Sequence, residues 1–195
     1  MPESRKAQVH LDPRGPLVIN THELGRRPGA MRYLSRPVPA PAGLALELVR
    51  VPEGAELELD LRLEAVMEGV LVSGTVTAPT EGECARCLRP VADEVLVDLQ
   101  ELYVYEDQPV ADEDTEEAAG RLEGDLIDLE PVVRDAVVLE LPLSPLCRED
   151  CPGLCPVCGA RWDELPADHL HEQRDPRWDA LRKLSDELSN ESQER

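Results

Sequence analysis

Ala55-Glu56-Leu57-Glu58-Leu59-Asp60-Leu61-Arg62-Leu63-Glu64 alternates without a break. Leu57, Leu59, Leu61 and Leu63 share one face; Glu56, Glu58, Asp60, Arg62 and Glu64 share the other. A period of two means strand, despite helix-favouring residue types. Alternation begins earlier, at Leu44, and returns in Val70-Leu-Val-Ser-Gly-Thr-Val-Thr77 and in a run from Val95 through Val97 and Leu99 to Val104. In that last run the phase slips by one residue, which predicts a bulge near Gln100. Short turns and no helix between these runs predict antiparallel pairing, with one buried face and one acidic face in water.

Downstream the period changes. Leu126, Leu129, Val133, Val137 and Leu141 recur at spacings of three and four, with Asp128 placed to cap the first turn and Pro131 tolerated inside it. A buried helix is predicted, ended by Pro142 and Pro145. Between sheet and helix, residues 106–125 hold nine acidic residues and read as a solvated loop. Near the end, Asp175, Pro176 and the stripe Trp178, Leu181, Leu184, Leu188 predict a short amphipathic helix. The fold class is therefore α+β: an antiparallel β-sheet core packed by a buried helix, with a C-terminal cysteine-rich zinc knuckle and a short terminal helix. Residues 1–42, broken by Pro13, Pro16, Pro28, Pro37, Pro39 and Pro41, read as a Pro/Arg-rich arm. Only a short strand at Leu17–Ile19 and one or two helical turns near Gly29–Leu34 are expected there. Residues 43–165 form the core and 166–195 a linker and the terminal helix.

Composition narrows the functional classes. Apolar residues make up 42% and Phe is absent, so the core must be Leu, Val and Ala. No long apolar run follows the opening residues, which predicts neither a secretory signal nor a membrane span and a cytoplasmic, reducing setting. Net charge is −21, distributed as +4 over residues 1–50, −20 over 51–140 and −5 over 141–195. The acidic middle repels a phosphate backbone, so any RNA contact is expected from Arg26, Arg27, Arg32 and Arg36. H-E-x-x-H, G-x-S-x-G and a glycine-rich phosphate loop are all missing, and the expectation is a non-enzyme without a small-molecule substrate.

All six cysteines sit at metal-like spacing. Cys147, Cys151, Cys155 and Cys158 fall within twelve residues. Cys155-Pro-Val-Cys158-Gly159 has the form of a zinc knuckle, in which backbone N–H groups reach the sulfurs. With Cys147 and Cys151 it would complete a closed, structural zinc site. On that assignment Cys147→Ser abolishes metal binding and Cys84→Ser does not. A competing set joins Cys84 and Cys87, from Cys84-Ala-Arg-Cys87, to Cys155 and Cys158. Left outside a metal site, Cys84 and Cys87 are either small buried residues at a strand turn or a thiol redox pair, the latter opposed by Glu81, Glu83, Asp93 and Glu94 nearby. His169 and His171 can replace a cysteine ligand, although a polar linker position is the better account of them.

Together, Cys84-Ala-Arg-Cys87-Leu88 after paired strands, the helix from Ile127 and Cys147-Arg-Glu-Asp-Cys-Pro-Gly-Leu-Cys-Pro-Val-Cys-Gly159 resemble the YceD family, the large ribosomal RNA subunit accumulation proteins. The resemblance runs from about Leu44 to Trp162. It implies a cytoplasmic, non-enzymatic factor for 23S ribosomal RNA accumulation and large-subunit biogenesis. Its partners would be a large-subunit precursor, ribosomal RNA or a basic ribosomal protein, with no membrane involved. Members differ in their cysteines, so a shared role cannot rest on zinc in all of them. A rival from another class is a zinc-stabilised interaction module in transcription or regulation.

Overall fold

The computed structural model describes residues 11–108 and 120–171. Residues Met1–Cys151 form one compact unit and Pro152–Arg195 a second. The expected terminal helix, and residues 109–119 of the acidic loop, lie outside the described residues.

In chain order the first unit contains β1 (Val18–Asn20), β2 (Met31–Pro39), β3 (Val49–Arg50), β4 (Glu56–Ala65), β5 (Gly69–Glu83), β6 (Pro90–Val104), β7 (Gly120–Arg121), β8 (Leu126–Asp128) and α1 (Glu130–Glu140). The main sheet runs β2-β4-β5-β6-β7 with β3 added beside β5, and β1 pairs with β8 in a second, two-stranded sheet. Every pairing is antiparallel except the short parallel contact of β6 with β7. Leu57, Leu59, Leu61 and Leu63 are at most 2% exposed, whereas Glu56, Glu58 and Asp60 are open to water. Each buried leucine contributes about 1.5–3 kcal/mol relative to exposure, so the alternation sets which face turns inward. Opposite Leu61 lies Gly74, at φ 148°, where a Cβ would run into the Asp60 carbonyl. That close approach demands glycine.

Three expectations are corrected. First, β6 has no bulge near Gln100. It pairs with β5 in unbroken register from Gly69↔Val104 to Glu83↔Pro90. Val97, Leu99 and Tyr103 keep one phase with Glu101 among them, while Val104 is buried on the opposite side. Second, the helix is shorter than its apolar pattern. Leu126–Asp128 is strand β8, and Pro131 falls in the first turn of α1. The Glu130 N–H donates to Asp128 Oδ1 at 2.9 Å. Leu129, Val133, Val137 and Leu141, each four residues from the next, are buried, and α1 packs on β6 and β5.

The third correction concerns the arm. Where one or two helical turns are expected near Gly29–Leu34, residues from Met31 on form the nine-residue strand β2, in register with β4 from Met31↔Glu64 to Pro39↔Glu56. Pro37 and Pro39 fit because β2 is the sheet's edge, where a missing N–H breaks no ladder. Its inward positions are Arg32, Leu34, Arg36 and Val38, opposite the four β4 leucines. Two arginines among four inward positions hid the apolar alternation.

Candidate metal centre

Strands β5 and β6 pair over fifteen residues each, an arm about 50 Å long at ordinary strand rise. The turn closing this hairpin, residues 84–89, is Cys84-Ala-Arg-Cys87-Leu-Arg89. Beyond its core-facing part a two-stranded hairpin is only marginally stable. The far end is paired to β3 at Gly82 and Glu81, and the Ala85 N–H donates to the Pro145 carbonyl at 2.8 Å. Pro142 and Pro145, which follow α1, steer the chain past this turn, and Cys147 and Cys151 come with it.

The ligand atoms of Cys84, Cys87, Cys147 and Cys151 all lie within 4.8 Å of one another. Cys84 Sγ is 3.8 Å from Cys151 Sγ, and Cys87 Sγ is 3.6 Å from Cys147 Sγ. Zinc–thiolate bonds of about 2.3 Å set the sulfurs of a tetrahedron about 3.8 Å apart, so this spacing fits the ion. Arg86 Nη1 donates to the carbonyls of Cys151, at 3.0 Å, and Glu149, at 3.4 Å. It thereby holds the ligand-bearing loop against the turn. Cys84, Cys87 and Cys151 are buried, and Cys147 is open at its edge.

Burial alone would raise the Cys84 thiol pKa. Hydrogen bonds from the backbone of Cys147, Arg86 and Cys87, with one from the Cys87 side chain, outweigh it and bring Cys84 down to about 6. Desolvation of the sulfur, then hydrogen bonds with Cys151, Cys87 and Cys84, push Cys147 up to about 12. Four sulfurs this close cannot all be thiolates without a cation among them. The cluster thus has the spacing, the N–H donors and the charge deficit of a tetrathiolate metal site.

In the second unit, Cys155, Cys158, His169 and His171 also place their ligand atoms within 4.8 Å of one another. Cys158 Sγ is 3.7 Å from His169 Nε2. Backbone hydrogen bonds from Cys158 and Val157 lower the Cys155 thiol to about 6, against burial and helped by the His169 and Cys158 side chains. The Gly159 N–H donates to the Cys155 carbonyl at 2.9 Å, and the Cys155 N–H to the Ala160 carbonyl at 2.7 Å.

The structure therefore divides the predicted set Cys147, Cys151, Cys155 and Cys158 between two clusters. It also divides the competing set, because Cys84 and Cys87 join Cys147 and Cys151. Closeness along the chain favoured other partners: Pro152-Gly153 separates Cys151 from Cys155, and the long hairpin brings Cys84 and Cys87 to a segment sixty residues downstream. His169 and His171, which the sequence favours as polar linker, bring their ring nitrogens close to Cys155 and Cys158, where the four could hold a metal ion. The signal available for them was a pair of imidazoles one residue apart, a short way after the Cys155-Pro-Val-Cys158 knuckle.

The four candidate RNA-contacting arginines are mostly occupied. Arg26 bonds Asp107 at 3.2 Å and lies 4.5 Å above the Tyr105 ring. Arg32 pairs with Glu23 at 3.2 Å, and Arg36 donates to the Pro16 carbonyl at 2.9 Å. Arg27 is exposed, with no side-chain partner among the described residues. Among those residues no helix is long and apolar enough to cross a membrane.

A family described as large ribosomal RNA subunit accumulation protein YceD matches residues 72–185. An uncharacterized protein of Mycobacterium tuberculosis is 53% identical over 175 residues, spanning 90% of this chain and 83% of its own length. An uncharacterized protein of Mycobacterium leprae is 47% identical over 174 residues, covering 89% and 78%. The uncharacterized protein YlbN of Bacillus subtilis is 28% identical over 126 residues, covering 64% and 69%. No solved structure matches the chain.

Proposed function

The chain belongs to the YceD family of large ribosomal RNA subunit accumulation proteins, and from that premise we propose that it is a non-enzymatic ribosome biogenesis factor supporting 23S ribosomal RNA accumulation and large-subunit assembly. Family membership is the observation that carries this reading. Its working surface is the acidic outer face of the main sheet, where Glu58 and Asp60 of β4 stand open to solvent, as do Glu94 and Asp98 of β6. Such a face shields the positive charge of a basic ribosomal protein before that protein meets RNA. The occupied state of Arg26, Arg32 and Arg36 supports this route over direct RNA contact by the arm.

The proposed cofactor is zinc at Cys84, Cys87, Cys147 and Cys151. Four thiolates suit zinc and leave no position for water or substrate, so the ion's role is structural. It fastens the tip of the β5–β6 hairpin to the segment after α1. Burial of Cys84 and Cys87, both at most 2% exposed, keeps bulky disulfides away and counts against a redox role.

Sedimentation of cell extract tests the functional reading. The protein should comigrate with large-subunit precursors, and its depletion should lower 23S relative to 16S ribosomal RNA. Absence from every ribosomal fraction, with the two RNAs unchanged, would leave the transcriptional module as the better reading.

A further inference from the structure

The second unit poses a physical problem. Among its described residues, 152–171, only Gly153 and Cys155 are buried. Three of the large apolar side chains among them face water: Val157 is 52% exposed, Trp162 39% and Leu170 90%. A segment this short with no apolar core does not hold a fixed conformation by burial, and small domains of this kind depend on disulfides or a metal. Yet its backbone is specifically paired. Leu154 bridges to Arg161, the Trp162 N–H donates to the Gly153 carbonyl at 3.1 Å, and the His169 N–H donates to the Pro166 carbonyl at 3.0 Å. The path ends by stacking His169 edge-on between Trp162, 5.5 Å away, and His171, 4.4 Å away.

Its side-chain chemistry supplies the missing element. His171 Nε2 is buried and has no hydrogen-bond partner among the described residues, a costly state for an imidazole nitrogen unless it donates its lone pair to something. Beside it are two sulfurs and a second imidazole, each offering one ligand atom in the same small volume. Two thiolates and two imidazoles on a tetrahedron are a zinc set, with an expected sulfur-to-nitrogen spacing of about 3.5 Å. Cys158 Sγ and His169 Nε2 stand at 3.7 Å.

We propose that Cys155, Cys158, His169 and His171 bind a second zinc ion, separate from the ion of the four-cysteine cluster, and that this ion folds residues 152–171. Binding requires no redox step: each cysteine loses its proton to solvent and each neutral imidazole offers one nitrogen. The two ions differ in setting. Only Cys155 of the second set is buried, against Cys84, Cys87 and Cys151 of the first, so chelators reach the second ion more readily than the first, and it is stripped sooner.

Elemental analysis and cobalt substitution of the full chain test this. Wild type should hold two zinc ions, and His169→Ala/His171→Ala should hold one. The cobalt form of wild type should show a tetrathiolate spectrum superposed on a mixed thiolate–imidazole one, whose d–d bands lie at shorter wavelength with weaker sulfur-to-metal charge transfer. The histidine variant should keep only the tetrathiolate part. Cys155→Ser/Cys158→Ser should do the same, and it leaves the sheet and its core untouched. Backbone amides of residues 152–171 should lose their exchange protection in both variants, while those of β4 keep theirs. One zinc ion in wild type, or a second ion indifferent to both double variants, overturns the proposal.

Discussion

Leu88 and Gly159 occupy the same position in two separate turns. Each follows the first cysteine of a C-x2-C pair by four residues, donates its N–H to that cysteine's carbonyl at 2.9 Å, and has positive φ, 57° and 73° respectively. In both turns the sulfur of that first cysteine accepts N–H groups two and three residues on. Each of these turns therefore requires a left-handed residue just after its C-x2-C pair. Glycine meets that demand freely, while leucine bears a strain of about 1–2 kcal/mol. Half-exposed Leu88 recovers little of it by packing.

Leu88→Gly should accordingly leave stability within about 1 kcal/mol of wild type, relief of strain offsetting the greater freedom of glycine in the unfolded chain. Leu88→Val, which puts a branched Cβ at positive φ, should cost more than 1 kcal/mol, roughly. Urea unfolding of the zinc-loaded chain distinguishes these; equal stability of the two variants would show that the turn relaxes.

The β4 leucines and the spacing Leu129, Val133, Val137, Leu141 were legible because each records a face in a single period. β2 was not, since Arg32 and Arg36 hold inward positions and reach across to β1 through their guanidinium groups. The knuckle at Cys155 was legible as a local turn. Ligand sharing was not, because partners are chosen by the hairpin's length and by where α1 ends, which no local spacing encodes. The contact Arg86 makes was not legible for the same reason: its bond to the Cys151 carbonyl exists only once the two segments meet.

Cys84→Ser and Cys147→Ser should each remove the same single ion, against the chain-spacing expectation that only Cys147 matters. An ion at this cluster would join residues sixty apart in Cys87 and Cys147, and closing a loop of that length is worth about 4 kcal/mol by chain entropy. Chelation should lower the stability of the first unit by a comparable amount. Arg86→Ala, acting on the ligand loop from outside the metal's own shell, should weaken binding by about 10–100-fold. Competition with a colorimetric chelator measures both; full zinc retention in Cys84→Ser would refute the grouping.

Arg36 and Arg27 should behave differently when truncated. Arg36 donates to the carbonyls of Pro16 and Val18, at 2.9 and 3.4 Å, tying β2 to the segment carrying β1. Arg36→Ala should cost about 1.5–3 kcal/mol, the range for hydrogen bonds from a charged donor. Arg27→Ala should change stability by less than about 0.5 kcal/mol, as for an unengaged surface position. Thermal melts of the two variants decide the matter, and a neutral Arg36→Ala would return that side chain to the pool of surface cations.

Tyr103 joins β6 to the entry of α1. Its hydroxyl donates to the Asp128 carbonyl at 2.9 Å, and burial, with the carboxylates of Glu101 and Asp128 adding to it, holds the phenol well above its ordinary range. In the unfolded chain the phenol ionises near its ordinary value of about 10. Below that pH both states keep the proton and the bond's contribution is complete. Above it the unfolded state binds fewer protons than the folded one, so stability falls as pH rises, by up to about 1.4 kcal/mol per pH unit from this group. Tyr103→Phe should cost about 1 kcal/mol at neutral pH. It also lacks this alkaline loss, so the gap between variant and wild type should narrow steadily above pH 10, roughly. Urea midpoints collected from neutral to alkaline pH on the zinc-loaded proteins provide the check, and parallel profiles would mean that the phenol ionises equally in both states.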